Sequence, residues 1–107
     1  MKIEVLYFPG CPHRGRAIEE VGRALVSEEI AAAITEIEIR DNEEAELHQF
    51  YGSPTIRING RDVAPASPSA RVVGLQCRLY PGSEQPGVPP HDLLRRALRE
   101  AMHEEES

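Results

Sequence analysis

Apolar and polar positions alternate from the start of the chain. Ile3, Val5 and Tyr7 interleave with Glu4, Leu6 and Phe8, and both sets carry apolar groups. A strand that is apolar on both faces is buried on both, so this run predicts a central strand of a parallel pair, stopped by Pro9-Gly10. From Arg14 the period changes: Ala17, Ile18, Val21, Ala24 and Leu25 recur at spacings of three and four, with Arg16, Glu19, Glu20 and Arg23 between them. That pattern predicts an amphipathic helix ending near residues 27–29. Thr35, Ile37 and Ile39 then alternate with Glu36, Glu38 and Arg40, as in an edge strand with one charged face.

Asp41-Asn42 can cap a short helix with Leu47, Phe50 and Tyr51 as its apolar stripe and Gly52 as its stop. Ser53-Pro54-Thr55 leads into a third strand, Ile56-Arg57-Ile58, closed by the hairpin signal Asn59-Gly60. Residues 61–73 hold Pro65, Pro68 and several small side chains and read as an irregular insertion before a fourth strand at about 74–80. The Pro- and Gly-rich run 81–90 is loop. Leu93, Leu94, Ala97, Leu98, Ala101 and Met102 mark a closing helix, and 103–107 reads as a solvated acidic tail. The order is β-α-β-α-β-β-α, without repeats or a second domain. The first two strands are expected to run parallel through a right-handed crossover, and the last two to pair as a hairpin.

Composition narrows the function. The 107 residues fit one domain, expected over 1–107. Twelve basic against eighteen acidic residues leave a formal net charge of −6, which argues against a nucleic-acid or anionic-membrane partner. No run approaches the roughly 18 apolar residues of a membrane span, so a cytoplasmic location is the default expectation. The two cysteines, Cys11 and Cys77, are too few for a disulfide framework or a four-cysteine zinc site. His13, His48, His91 and His103 share no metal-ligand spacing, and Gly10, Gly15 and Gly22 do not form a dinucleotide loop. No cofactor and no resident metal are expected.

Cys11 is the residue with chemistry. It lies between the first strand and the first helix in Phe8-Pro9-Gly10-Cys11-Pro12-His13-Arg14. Unpaired backbone N–H groups and the helix dipole favour thiolate over thiol at such a point, and depressed thiol pKa values of roughly 3.5 to 7.5 occur there. Pro12 suits the first helical turn because its missing N–H would be orphaned in any case, and His13 and Arg14 add positive potential. The plainer alternative for Cys11 is a small buried filler.

A strand, then Cys-Pro-His-Arg opening a helix, then Ser-Pro-Thr entering a later strand, resembles the thioredoxin fold with its Cys-x-x-Cys site and cis-proline loop. The resemblance covers nearly the whole chain in element order. Phe-Pro-Gly-Cys-Pro, Gly52-Ser53-Pro54-Thr55, Asn59-Gly60-Arg61-Asp62 and Cys77-Arg78-Leu79-Tyr80 are similar to small bacterial thioredoxin-like proteins labelled alkylmercury lyase or mercury-resistance-related. It implies a four-stranded mixed sheet flanked by helices, Cys11 as the attacking cysteine and Pro54 as a cis-proline beside it. It also implies that the backbone of Ser53 pairs with an extended substrate segment. Arg14 stands where the resolving cysteine would be, Val5 where a buried carboxylate would be, and Gly10 where a tryptophan would be. The expected catalytic set is Cys11, Arg14, Pro54 and Cys77, with Pro12, His13, Ser53 and Thr55 as substrate contacts.

Cys77 has three readings: a core-facing residue of the fourth strand with Leu79 beside it, a partner for Cys11, or half of a soft-metal dithiolate. A peroxiredoxin site needs Thr or Ser three residues before the reactive cysteine, where Phe8 stands. Pro81-Gly82-Ser83-Glu84 falls where glutaredoxins hold a glutathione carboxylate, but the match carries no residues over. The expected function is monothiol-type exchange with a thiol- or disulfide-containing protein or a low-molecular-weight thiol. The alternatives are a soft-metal or organomercurial binder and a redox-inactive interaction module. Oligomeric state is left open.

Overall fold

The computed structural model describes residues 1–64, 72–85 and 87–106. Their elements are β1 (Ile3–Tyr7), α1 (Arg14–Ser27), β2 (Ile34–Glu38), α2 (Asn42–Leu47), β3 (Thr55–Ile58), β4 (Arg61–Asp62) and α3 (His91–Glu106). The four strands form one mixed sheet in the order β2-β1-β3-β4. β1 runs parallel to β2 and antiparallel to β3, which pairs antiparallel with β4. The described residues therefore form an α/β protein with a four-stranded mixed sheet and three helices.

The two-residue period of β1 divides the core into two layers. Ile3 and Val5 face α1 and α3, where they pack with Ala17, Val21, Leu25, Ile56, Leu94 and Leu98. Leu6 faces the other way and packs with Ile39, Ala45 and Phe50 around α2. β1 is thus covered on both sides, as its sequence predicts, and β2 lies at the edge. No helix among the described residues is long and apolar enough to cross a membrane.

The fourth strand differs from expectation. It is Arg61–Asp62, not 74–80, because Asn59 (φ 52°) and Gly60 (φ 82°) both take left-handed conformations. A two-residue turn of that kind returns the chain at once, so Ile58 pairs with Arg61 and Arg57 with Asp62. Within 74–80 the only strand-like pairing among the described residues is an isolated parallel bridge between Ser53 and Cys77. The middle of the expected insertion, 65–71, lies outside the described residues.

Two smaller corrections concern helix ends. Asp41 caps α2 by accepting from the Glu44 N–H at 2.8 Å, but Leu47 points to solvent and is 80% exposed. The helix stops at Gln49 (φ 51°), three residues before the expected Gly52. The Phe50 N–H then bonds the Ala45 carbonyl at 2.8 Å and the Gln49 N–H bonds Glu46 at 3.2 Å. This Schellman closure turns Phe50 inward onto Ala45, so the apolar stripe is completed from beyond the helix. At the C-terminus, residues 103–106 continue α3 as exposed helix, where a tail was expected; Ser107 lies outside the described residues.

Glu28 ties the helical layer together. It caps the C-terminus of α1 and accepts from Arg95 Nε and Arg99 Nε of α3, each at 2.7 Å. A carboxylate at a helix C-terminus is opposed by the dipole, so these cations are what hold it there. Their hydrogen bonds, Arg99 first and then Arg95, keep the Glu28 carboxyl below its ordinary pKa. A lowered folded-state pKa gives stability that is present above the ordinary value and is lost as pH falls from there through the lowered folded-state value. In urea titrations, wild type should therefore exceed Glu28→Gln in midpoint at pH 7. That gap should narrow below the ordinary Glu value of 4.5.

Candidate functional site

The loop after β1 is built by a turn. The Cys11 N–H donates to the Phe8 carbonyl at 3.2 Å, with Pro9 and Gly10 (φ 81°) at the two central positions. Pro followed by a left-handed Gly is the type II pattern, and Gly takes that conformation without a Cβ penalty. Cys11 leaves the turn half-buried, with its thiol free. α1 starts only at Arg14, with His13 as its N-cap and no side-chain cap bond. Pro12 therefore precedes the helix and does not form its first turn as expected. Cys11 stands outside the helix by two intervening residues, so the dipole acts on it from further away than it would at a helix N-terminus.

The neighbours of Cys11 have partners of their own. Arg14 Nε donates to Glu36 Oε1 at 2.9 Å, a second guanidinium nitrogen bonds the same oxygen, and the Arg14 guanidinium carbon lies 4.2 Å from the Tyr7 ring centroid. The Glu36 hydrogen bond raises the Arg14 pKa above its ordinary value. Its charge is thus committed to the β1–β2 side of the sheet. His13 packs against the backbone at Gly87: a Cβ placed there would fall 2.2 Å from His13 Cδ2.

Ser53 joins this turn to the far segment. Its Oγ accepts from the Phe8 N–H at 3.2 Å. Its own N–H donates to the Gln76 carbonyl, and its carbonyl accepts from the Arg78 N–H, both at 2.9 Å. Ser53 is fully buried, and both of its main-chain groups are occupied by the chain itself. The Ser53–Pro54 peptide bond is cis. The Pro54 carbonyl accepts from the Tyr80 hydroxyl at 2.5 Å. Thr55 is also buried; its hydroxyl donates to the Gly52 carbonyl at 2.6 Å and accepts from Arg78 at 3.3 Å. It holds the loop from inside, where a substrate contact was expected.

Arg78, Asp62 and Tyr80, to which local sequence pattern gives no role, form the support beneath the Pro54 loop. Arg78 forms a two-pronged ion pair with Asp62, at 2.7 and 3.0 Å, bonds the Ala64 carbonyl, and lies 5.0 Å from the Tyr80 ring centroid. Burial is the largest single influence and works against its charge, but the Asp62 hydrogen bond together with the charges of Tyr80 and Asp62 outweighs it, and the Arg78 pKa is raised. Burial pushes the Tyr80 phenol well above its ordinary range, with nearby Asp62 and Cys11 adding to the effect.

Cys77 is exposed, not core-facing, and Leu79 beside it is 71% exposed. The alternation expected in 74–80 exists, but Arg78 and Tyr80 are the inward set. A one-residue shift exchanges the faces of an extended segment, and here the pull of Asp62 and the Pro54 carbonyl decides it. Both residues stood in the sequence as a polar and an aromatic group two apart, the only signal of the inverted face.

Comparison with known proteins adds no identity. No family model, curated protein or solved structure matches the chain. Among the described residues, no three His, Cys, Asp or Glu side chains gather as a metal would need.

Two substitutions test this architecture. Gly52 (φ 126°) lies so close to the passing chain that a Cβ would fall 2.9 Å from Arg78 Cβ and 3.2 Å from Arg78 N. Gly52→Ala should cost about 2–3 kcal/mol in chemical denaturation, against about 1 kcal/mol for Gly82→Ala, where nothing lies within 4 Å. Removing Asp62 or Arg78 alone leaves a buried group without its partner and should cost about 3 kcal/mol. In a double-mutant cycle, Asp62→Leu with Arg78→Met should cost clearly less than the two single losses added together.

Proposed function

We propose that this chain is a thioredoxin-like thiol protein in which Cys11 performs monothiol-type thiol–disulfide exchange. The observation that carries the reading is the seat of Cys11: a half-exposed thiol on a tight turn, joined through Phe8 to the Ser53 that precedes Pro54. The sheet order β2-β1-β3-β4, with α1 and α3 on one face and α2 on the other, supports the fold assignment.

In the proposed cycle the Cys11 thiolate attacks one sulfur of a partner disulfide. The S–S bond breaks, the leaving thiolate takes up a proton, and a mixed disulfide remains on Cys11. Position 14 has no thiol to clear it, since the residue there is Arg14, paired with Glu36. Turnover therefore draws on an external low-molecular-weight thiol. The partner is a thiol- or disulfide-containing protein or such a small thiol, in keeping with the reducing pools of the cytoplasm.

Insulin reduction should be weak with the protein alone and should rise when a small thiol is added, by more than the small thiol achieves unaided. Cys11→Ser should abolish the increment. An increment that survives in Cys11→Ser, or vigorous reduction without added thiol, contradicts the proposal.

A further inference from the structure

We propose that the outward edge of residues 75–79 docks against the same edge of a second copy of this chain, and that a Cys77–Cys77 disulfide locks the pair. The bridge to Ser53 creates that edge. Its two hydrogen bonds use the Gln76 carbonyl and the Arg78 N–H. The N–H and carbonyl of Cys77, between them, therefore point away from Ser53. No hydrogen bond among the described residues engages the main chain of Leu75, Cys77 or Leu79. Their side chains share one exposure: Arg78 and Tyr80 are buried, whereas Leu75 is 39% and Leu79 71% exposed, with the free Cys77 thiol exposed between them.

The occupant follows from symmetry and charge. Leu75-Gln76-Cys77-Arg78-Leu79 reads the same in both directions at its exposed positions. Antiparallel pairing about a two-fold axis at Cys77 sets the two Cys77 residues opposite each other and each Leu79 opposite the second copy's Leu75. Opposed residues that exchange both main-chain hydrogen bonds have Cα atoms about 5.5 Å apart, inside the roughly 4.4–6.8 Å that a disulfide spans. The only charged side chain of residues 72–80 is Arg78, which is turned inward onto Asp62. A chain of net charge −6 repels its copies over most of its surface, yet this edge meets its own image without a like charge. The edges of the sheet itself are guarded, since β2 carries Glu36 and Glu38 and β4 is only two residues long.

Area decides how long the contact lasts. Leu75, Leu79 and the exposed Val72 and Val73 before them offer a few hundred Å² of apolar surface. A stable interface buries about 800 Å² on each partner, so docking alone is weak and the covalent bond makes it durable. The oxidant is a low-molecular-weight disulfide, R–S–S–R. One Cys77 thiolate attacks it, the S–S bond breaks, and RS⁻ leaves to be protonated. The second copy's Cys77 thiolate then attacks the Cys77 sulfur of that mixed disulfide, the bond to RS breaks, and the second RS⁻ leaves and takes up a proton. Two Cys77 thiols become one disulfide while the oxidant becomes two thiols. Cys11 takes no part.

The test uses the full chain, reduced and freed of reductant, then exposed to 2-hydroxyethyl disulfide, which is uncharged. Sedimentation velocity reads the mass, and mass spectrometry of non-reduced peptides locates the bridge. A covalent dimer joined Cys77 to Cys77 is expected in wild type and in Cys11→Ser alike, returned to monomer by dithiothreitol. Leu79→Glu sets a charge against the second copy's Leu75. The rate of dimer formation, divided by the rate at which iodoacetamide alkylates Cys77, should fall about tenfold in that variant. Val26→Glu adds the same charge at an exposed apolar position on α1 and should change that ratio by less than about twofold. An unchanged ratio in Leu79→Glu, an equal fall in Val26→Glu, a bridge through Cys11, or Cys77 held only as a mixed disulfide overturns the proposal. Since the expected dimer forms in Cys11→Ser, its failure leaves the exchange reading of Cys11 untouched.

Discussion

The guanidinium of Arg78 is the group on which the arrangement around Cys11 depends. A cation in the interior stays only if its donors and its charge are all answered. Asp62 on β4, Thr55 on β3, the Ala64 carbonyl and the Tyr80 ring answer it from four directions. The planar fork of arginine can meet a carboxylate with two parallel bonds and still reach further acceptors; a lysine at this position could not. Two consequences reach the surface. β4, only two residues long, is held by its Asp62 side chain as well as by its ladder to β3. The 76–80 segment is fixed with alternate residues inward, which brings Tyr80 under Pro54 and turns Cys77 outward.

That dependence also explains which parts of the molecule could be read from the sequence. β1, α1 and β2 carry their own periodicity, and their boundaries follow it closely, whereas α3 runs on past its last periodic residue through 103–106. The hairpin turn at Asn59-Gly60 was legible as well, but the strand after it is too short to leave an alternation. The longer alternating run at 74–80 drew the strand assignment instead. Which of its faces turns inward is decided by Asp62 and by the Pro54 carbonyl, neither of them local to the run. Leu47 and Phe50 show the same limit on a smaller scale: their spacing suits one helical stripe, yet a left-handed Gln49 ends the helix between them.

The candidate site was legible where it is local. Cys11 at the end of β1, the Pro9-Gly10 turn and the Ser53-Pro54 loop all lie where their neighbours in sequence indicate. The partners of Ser53 are 23 and 25 residues further along, and nothing in its own neighbourhood announces them. The setting of the site follows from the sheet. In open α/β sheets, chemistry gathers at the carboxyl ends of parallel strands, and Cys11 follows the carboxyl end of β1, the strand both core layers share.

The contact between His13 and Gly87 joins two proline- and glycine-rich parts of the chain. An alanine at 87 collides with the imidazole as it stands, yet the same alanine would find room once residue 13 had become small. Change at the two positions is therefore coupled: a methyl group at 87 requires the imidazole beside Cys11 either to turn away or to be replaced by something smaller. A loop that looks free to drift is in this way tethered, through one missing Cβ, to the residue two places from the thiol.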